Sequence, residues 1–170
     1  MKKIMEMLQA MKQKNEKNDN KGFSLVELII VIAIMAILVG VVGTQVIPYI
    51  NKSKESKDYQ IISSYGTAAM TAYSSNADSI TIPTPASGDA KISFDVYGTL
   101  TANSDEEKLA KAIKDLTYPT IPSGTTGKFK SSKGKNISKI QVEYNFTKKT
   151  ITVQAYNGTT AVLDPVVSDM

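Results

Sequence analysis

A chain of 170 residues with a formal net charge of +4 has room for one modest globular domain and one further element. It holds no cysteine and no histidine, which excludes disulfides and thiolate metal sites and removes the commonest general base and zinc ligand. No G-x-S-x-G, S-x-x-K or Gly-rich phosphate loop organises the remaining serines and carboxylates, so neither an enzyme nor a cofactor or metal is expected.

All basic side chains are lysines, and they are unevenly placed. The first 22 residues carry six of them (Lys2, Lys3, Lys12, Lys14, Lys17, Lys21) against Glu6, Glu16 and Asp19, while the remainder is close to neutral. That distribution argues against a dedicated nucleic-acid binder, whose footprint is a concentrated basic face.

From Leu28 to Ile47 runs LIIVIAIMAILVGVVGTQVI, twenty residues without a charge. At about 1.5 Å per residue this makes roughly 30 Å of helix, enough to cross a bilayer core. A buried core helix normally keeps a polar face, and here only Thr44 and Gln45 are polar. The lysine-bearing leader sets the orientation, with the amino terminus in the cytoplasm and everything after Pro48 outside. Lys52, Lys54 and Lys57 follow closely on the far side and weaken that bias without reversing it.

An ordinary secretory signal is cut after its apolar stretch, at small residues. Here the order differs: a polar leader ends in Lys21-Gly22, then come Phe23-Ser24-Leu25-Val26-Glu27, then the apolar run. Glu27 is a carboxylate at the edge of a membrane helix, a position that costs free energy and is usually kept for a partner. The bland alternative is a glutamate reaching to the headgroups.

The segment KGFSLVELIIVIAIMAILVG resembles the class III signal of type IV prepilins, and the resemblance extends from about Lys21 to Gln60. It implies cleavage by prepilin peptidase between Gly22 and Phe23, N-methylation of Phe23, and retention of the apolar helix. It also implies that Glu27, fifth from the cut, pairs with the amino-terminal charge of a neighbouring subunit. The implied fold is α+β: a long amino-terminal transmembrane helix as a spine, packed on a carboxy-terminal antiparallel β-meander, the pilin lollipop. Implied partners are other copies in a helical filament, prepilin peptidase, the assembly machinery in the membrane, and the lipid bilayer before assembly. DNA is a conceivable partner without support in these residues. The precursor would be single-pass in the inner (cytoplasmic) membrane and the assembled form an extracellular pilus, with adhesion, twitching motility, biofilm formation or DNA uptake as family roles. A pseudopilin or minor pilin of a secretion or competence system shares the same signal. A membrane-tethered binding domain is the alternative of another class, and it leaves Gly22, Phe23 and Glu27 unexplained.

The pattern assigns residues 1–22 to a leader, 23–48 to the membrane half of the first helix, 49–76 to its exposed half, 77–136 to a connecting region, and 137–170 to the meander and tail. Gly40, Gly43 and Pro48 weaken the first helix. The expected outcomes are local melting between Gly40 and Pro48 in a filament, a plain kink, or glycines that serve close helix packing. Pilins of the better-studied kind carry their proline one turn earlier, at the place of Thr44. Beyond Pro48, Ile50, Ile61, Ile62, Tyr65, Ala68, Ala69 and Ala72 recur at helical spacing, with Glu55, Lys57 and Asp58 on the exposed side, to a stop at Ser74–Asp78.

Residues 79–90 read as a loop and Lys91–Tyr97 as a strand. Ser104, followed by Glu107, opens a second helix with a capping box. Its buried face is Leu109, Ala112, Ile113 and Leu116, and its acids (Asp105, Glu106, Glu107) serve capping more readily than cation binding. In the loop of residues 117–136, Lys128, Lys130, Lys133 and Lys135 surround Phe129, either a contact for DNA, an anionic polymer or a neighbouring subunit, or a solvated loop. The last part is β: Ile140, Val142, Tyr144 and Phe146 alternate, then Ile151, Val153 and Ala155 after a turn at Lys148-Lys149. Asn157-Gly158 then turns the chain into a strand over Thr159–Leu163.

Overall fold

The computed structural model describes residues 23–85, 87–123 and 127–170, together with Lys3, Met5 and Glu6. The chain divides into two units, Met1–Val46 and Ile47–Met170. In the first, α1 spans Leu25–Val41 and continues into a π-helical turn, Val42–Val46. Valine and isoleucine are indifferent helix formers in water. In an apolar medium the helix is favoured because it satisfies every backbone polar group within the segment.

The second unit opens with α2, Ile47–Asn76, which carries Pro48 as its second residue, directly after the π-helical turn. A short 3-10 turn, Ala77–Ser79, ends it within the expected stop. Then follow β1 (Lys91–Asp95), α3 (Asp105–Leu116), a 3-10 turn at Gly134–Asn136, and β2 (Lys139–Asn145), β3 (Thr150–Asn157), β4 (Thr160–Ala161) and β5 (Val166–Asp169).

The sheet is antiparallel in the order β1-β2-β3, with β4 and β5 sharing the far edge of β3. β5 covers Thr150–Val153 and β4 covers Tyr156 and Asn157. Phe94, Val142 and Val153 stand opposite one another across three strands, as do Ile92, Tyr144 and Ile151. All six are buried on one face, as the period of two requires.

That face is covered by the later turns of α2. Ile62, Tyr65, Ala68, Ala69 and Ala72 are buried there, and Leu109 and Ile113 of α3 join them in one core. The alanines let the helix lie close. A Cβ added at Gly66 would sit 3.1 Å from Val166 Cγ1. Three tyrosines carry their hydroxyls into the core with partners. Tyr144 donates to Ala69 O at 2.8 Å, and Tyr65 meets the Tyr97 hydroxyl at 2.5 Å while Tyr97 donates to Tyr118 O at 2.9 Å. Burial pushes the hydroxyl pKa of Tyr65 and Tyr144 well above the usual range.

Several expectations are corrected. Asp58 is not on the exposed side: it is 0% exposed. Leu116 is 54% exposed, and Ala110 takes its place in the core because the buried stripe of α3 runs through Leu109, Ala110 and Ile113. The first strand stops at Asp95, where a turn begins, although Val96 remains buried. The strand after Asn157-Gly158 shrinks to Thr160–Ala161, and the residues expected as a tail form β5, which takes up the remaining edge of β3.

Capping at the two helix starts also differs from expectation. At α3 the Ser104 hydroxyl accepts from Glu107 N at 3.2 Å. The Glu107 carboxylate, however, takes the N–H of Asn103 at 2.5 Å, because Ser104 N is already bonded to Thr101 O at 3.1 Å. The reciprocal box lies instead at the start of α1.

Candidate functional site

Two regions carry the residues singled out from the sequence: the amino-terminal segment and the lysine loop. In the segment, Gly22 lies outside the described residues, and Phe23 is 86% exposed. Ser24 is the N-cap of α1, with φ −63° and ψ 143°. Its hydroxyl accepts from Val26 N at 3.3 Å, and its own N–H donates to Glu27 Oε2 at 2.8 Å. Glu27 therefore closes a capping box on its own helix and adds negative charge at the positive end of the helix dipole. The pattern Ser24-x-x-Glu27 is a plain signal for this bond, masked in the sequence by the membrane reading of Glu27.

The bond uses one carboxylate oxygen. Oε1 of Glu27 takes no protein donor among the described residues, and a carboxylate accepts several hydrogen bonds. Capping therefore leaves Glu27 able to accept a cation from outside the protomer.

From Leu25 to Val46 no residue is buried. The helix from Leu25 is long and apolar enough to cross a membrane. Large apolar side chains are exposed on every side of it, Ile29, Ile32 and Met35 among them. An apolar surface that surrounds a helix completely needs lipid or other protein as its cover.

Near the end of this stretch the backbone is neither melted nor regular. Val42–Val46 is π-helical, and Val42 N is shared between Leu38 O and Val39 O. Thr44 Oγ1 donates to Gly40 O at 2.9 Å. A widened turn ahead of Pro48 accommodates a residue that cannot bond back to position 44. A Cβ at Gly40 or at Gly43 would meet nothing within 4 Å, so packing within the described protomer does not require either glycine.

The lysine loop is organised differently from expectation. Phe129 is buried in the core and is not displayed among the lysines. Lys128, Lys130, Lys133 and Lys135 are all exposed. What holds them is Asp58 of α2, which accepts from Lys130 N (Oδ1, 2.8 Å) and Ser131 N (Oδ2, 2.8 Å). Ser131 Oγ in turn accepts from Gly134 N at 2.9 Å. Gly134 is required here, because a Cβ would collide with the Asp58 carboxylate. Nearby, Lys133 pairs with Glu55 at 3.4 Å. Helical spacing alone placed Asp58 beside Lys57. Its neighbour Gly134, more than seventy residues away, is the reason it is buried. Among the described residues no group of three or more acidic side chains is placed to hold a metal ion.

Residues 17–43 match the family described as the prokaryotic N-terminal methylation motif, the prepilin and type IV pilin signature. No curated protein matches the chain, and no solved structure does. The match covers the leader end, the predicted cut, the Ser24–Glu27 cap and the apolar helix up to Gly43.

Proposed function

We propose that this chain, a prepilin-type structural subunit of the type IV pilin and pseudopilin class that prepilin peptidase processes, is the repeating subunit of an extracellular pilus. The observation that carries the reading is the pairing of the methylation motif with an apolar helix of which nothing is buried within the protomer. Such a helix anchors the precursor in the membrane. After cleavage at Gly22–Phe23, the same surface would be covered by identical helices of other copies.

Glu27 has two roles in this scheme. Its Oε2 caps α1, and its Oε1 accepts the amino-terminal charge of Phe23 from a neighbouring subunit. An unpaired carboxylate in an apolar filament core penalises every wrong axial shift. The pair therefore sets the register between subunits even where its net stabilisation is small. The π-helical turn at Val42–Val46 is the weakest stretch of the helix by backbone geometry, and Gly40, Gly43 and Pro48 make it the place where the helix would open on packing into a filament.

The test is the intact mass of the protein in material sheared from the surface of the cells that make it. An abundant species beginning at Phe23 and about 14 Da heavier than the unmodified chain is expected from cleavage plus one methyl group. A processed form that stays in the membrane and never shears would make it a pseudopilin. A mass that still contains residues 1–22 would overturn processing altogether. Glu27→Gln should retain the cap through its amide oxygen, yield a normally folded second unit by circular dichroism, and lose surface filaments.

A further inference from the structure

The second unit carries a basic collar to which the scheme above assigns no role. Three lysines (Lys52, Lys54, Lys57) stand exposed on the opening turns of α2, and the four loop lysines stand exposed beside them. The Asp58 clip to Lys130 N and Ser131 N fixes that proximity. Asp58 spends its carboxylate on those two backbone N–H groups, and Glu55 takes up Lys133.

The collar has a recess. An open cleft of about 480 Å³ lies between α2, Lys133 and the segment from Val162 to Asp164. Lys52 and Lys133 line it with Glu55 and Asp164, beside Tyr59, Val162 and Leu163, so the recess itself is close to neutral and the excess positive charge lies on the lysines around it.

Position selects the partner of these lysines. α2 follows the apolar segment with no intervening loop, and Asp58 is about 17 Å of helix from Ile47 at 1.5 Å per residue. Covalent reach alone therefore holds the collar near the headgroups of any bilayer that the apolar segment spans. Basic residues there are drawn to anionic lipid over a distance set by the Debye length.

We propose that, before assembly, the lysines of the collar bind the phosphate headgroups of anionic phospholipids in the bilayer that anchors the chain. The contact holds the second unit against the membrane surface and must be broken for a subunit to leave the bilayer. The inference rests on the anchored precursor, and its test separates the two.

The full chain is reconstituted in vesicles of phosphatidylglycerol and, in parallel, of phosphatidylcholine. Lysine acetylation by a water-soluble reagent is then read peptide by peptide. Lys52, Lys130 and Lys133 should react about fivefold more slowly in the anionic vesicles, the occupancy that one lysine's attraction to an anionic surface supports. Lys149, in the turn at the other end of the β2–β3 hairpin, should react equally in both, and high salt should abolish the difference. Asp58→Ala should release the loop lysines while Lys52 stays slow. Lys133→Gln, a surface change that leaves the fold intact, should raise reactivity at Lys52. Equal rates in the two lipids overturn the proposal. So does protection by duplex DNA in detergent where anionic vesicles give none, which would mark a nucleic-acid surface. Hydrogen exchange over residues 28–47 in the same vesicles reports anchoring by itself. Free exchange there with slow collar lysines would uphold the lipid surface and refute the anchor.

Discussion

The two units spend their apolar residues in opposite ways. From Leu25 to Val46 nothing is buried, whereas within Ile47–Met170 residues such as Ile62, Phe94, Ile113, Phe129 and Val142 form one core shared by α2, α3 and the sheet. Helical period explains the contrast. Beyond Ile61 the apolar positions of α2 form a stripe broken by polar residues, which a single sheet can cover. Before Val46 they occupy every side, which no single protein face can cover. The first unit is therefore built for surroundings and the second for itself.

Paired truncations put that contrast under the greatest strain. Phe129→Ala removes a fully buried ring and should cost the second unit about 3–5 kcal/mol in denaturant unfolding of the detergent-solubilised chain. Ile32→Ala removes a side chain that touches no core and should leave that transition in place while lowering filament yield. Equal shifts in the two unfolding curves would mean that the first unit contributes to the stability of the second.

Asp58 sharpens the comparison at a smaller scale, because this carboxylate on α2 is buried whereas Glu27 on α1 is exposed. Asp58→Ala leaves the N–H groups of Lys130 and Ser131 without their acceptor. The expected loss is about 2–3 kcal/mol of stability, less whatever water recovers. Faster proteolysis should be confined to residues 127–136. An unchanged cleavage pattern would show that the loop is held by Phe129 alone.

What the sequence could and could not disclose follows from the range of the interactions involved. The apolar span, the α2 stripe, the hairpin at Asn157-Gly158 and the alternation in β2 and β3 are local patterns, and they were legible as such. The methylation motif was legible because its glycine, aromatic and glutamate stand at fixed offsets. Asp58 was not, since its burial depends on a loop more than seventy residues away with a glycine that makes room for it. β5 was hidden because Pro165 precedes a run of only four residues, whose pairing depends on the edge that the two-residue β4 leaves open. The Ser24–Glu27 box was hidden for the opposite reason: a strong functional reading of Glu27 obscured a simple local one.

The smallest effect concerns pH and belongs to the second unit alone. Asp105 accepts from Thr81 N at 2.8 Å and from Lys108 at 3.0 Å, and chiefly the backbone hydrogen bond holds its carboxyl below the ordinary value of 3.8. Asp89 is held low in the same way, first by the side-chain amide of Asn145 at 2.9 Å and then by Lys148 at 3.1 Å. A carboxylate whose folded pKa lies below its unfolded one contributes stability that is fully present above the unfolded value and is lost as pH falls through the folded value. The midpoint of unfolding should therefore be flat near neutrality and decline below about pH 4. Asp105→Asn should flatten part of that decline and leave the neutral plateau slightly lower. An acid limb unchanged by Asp105→Asn would show that the bonds from Thr81 and Lys108 contribute nothing to the pH dependence of the second unit.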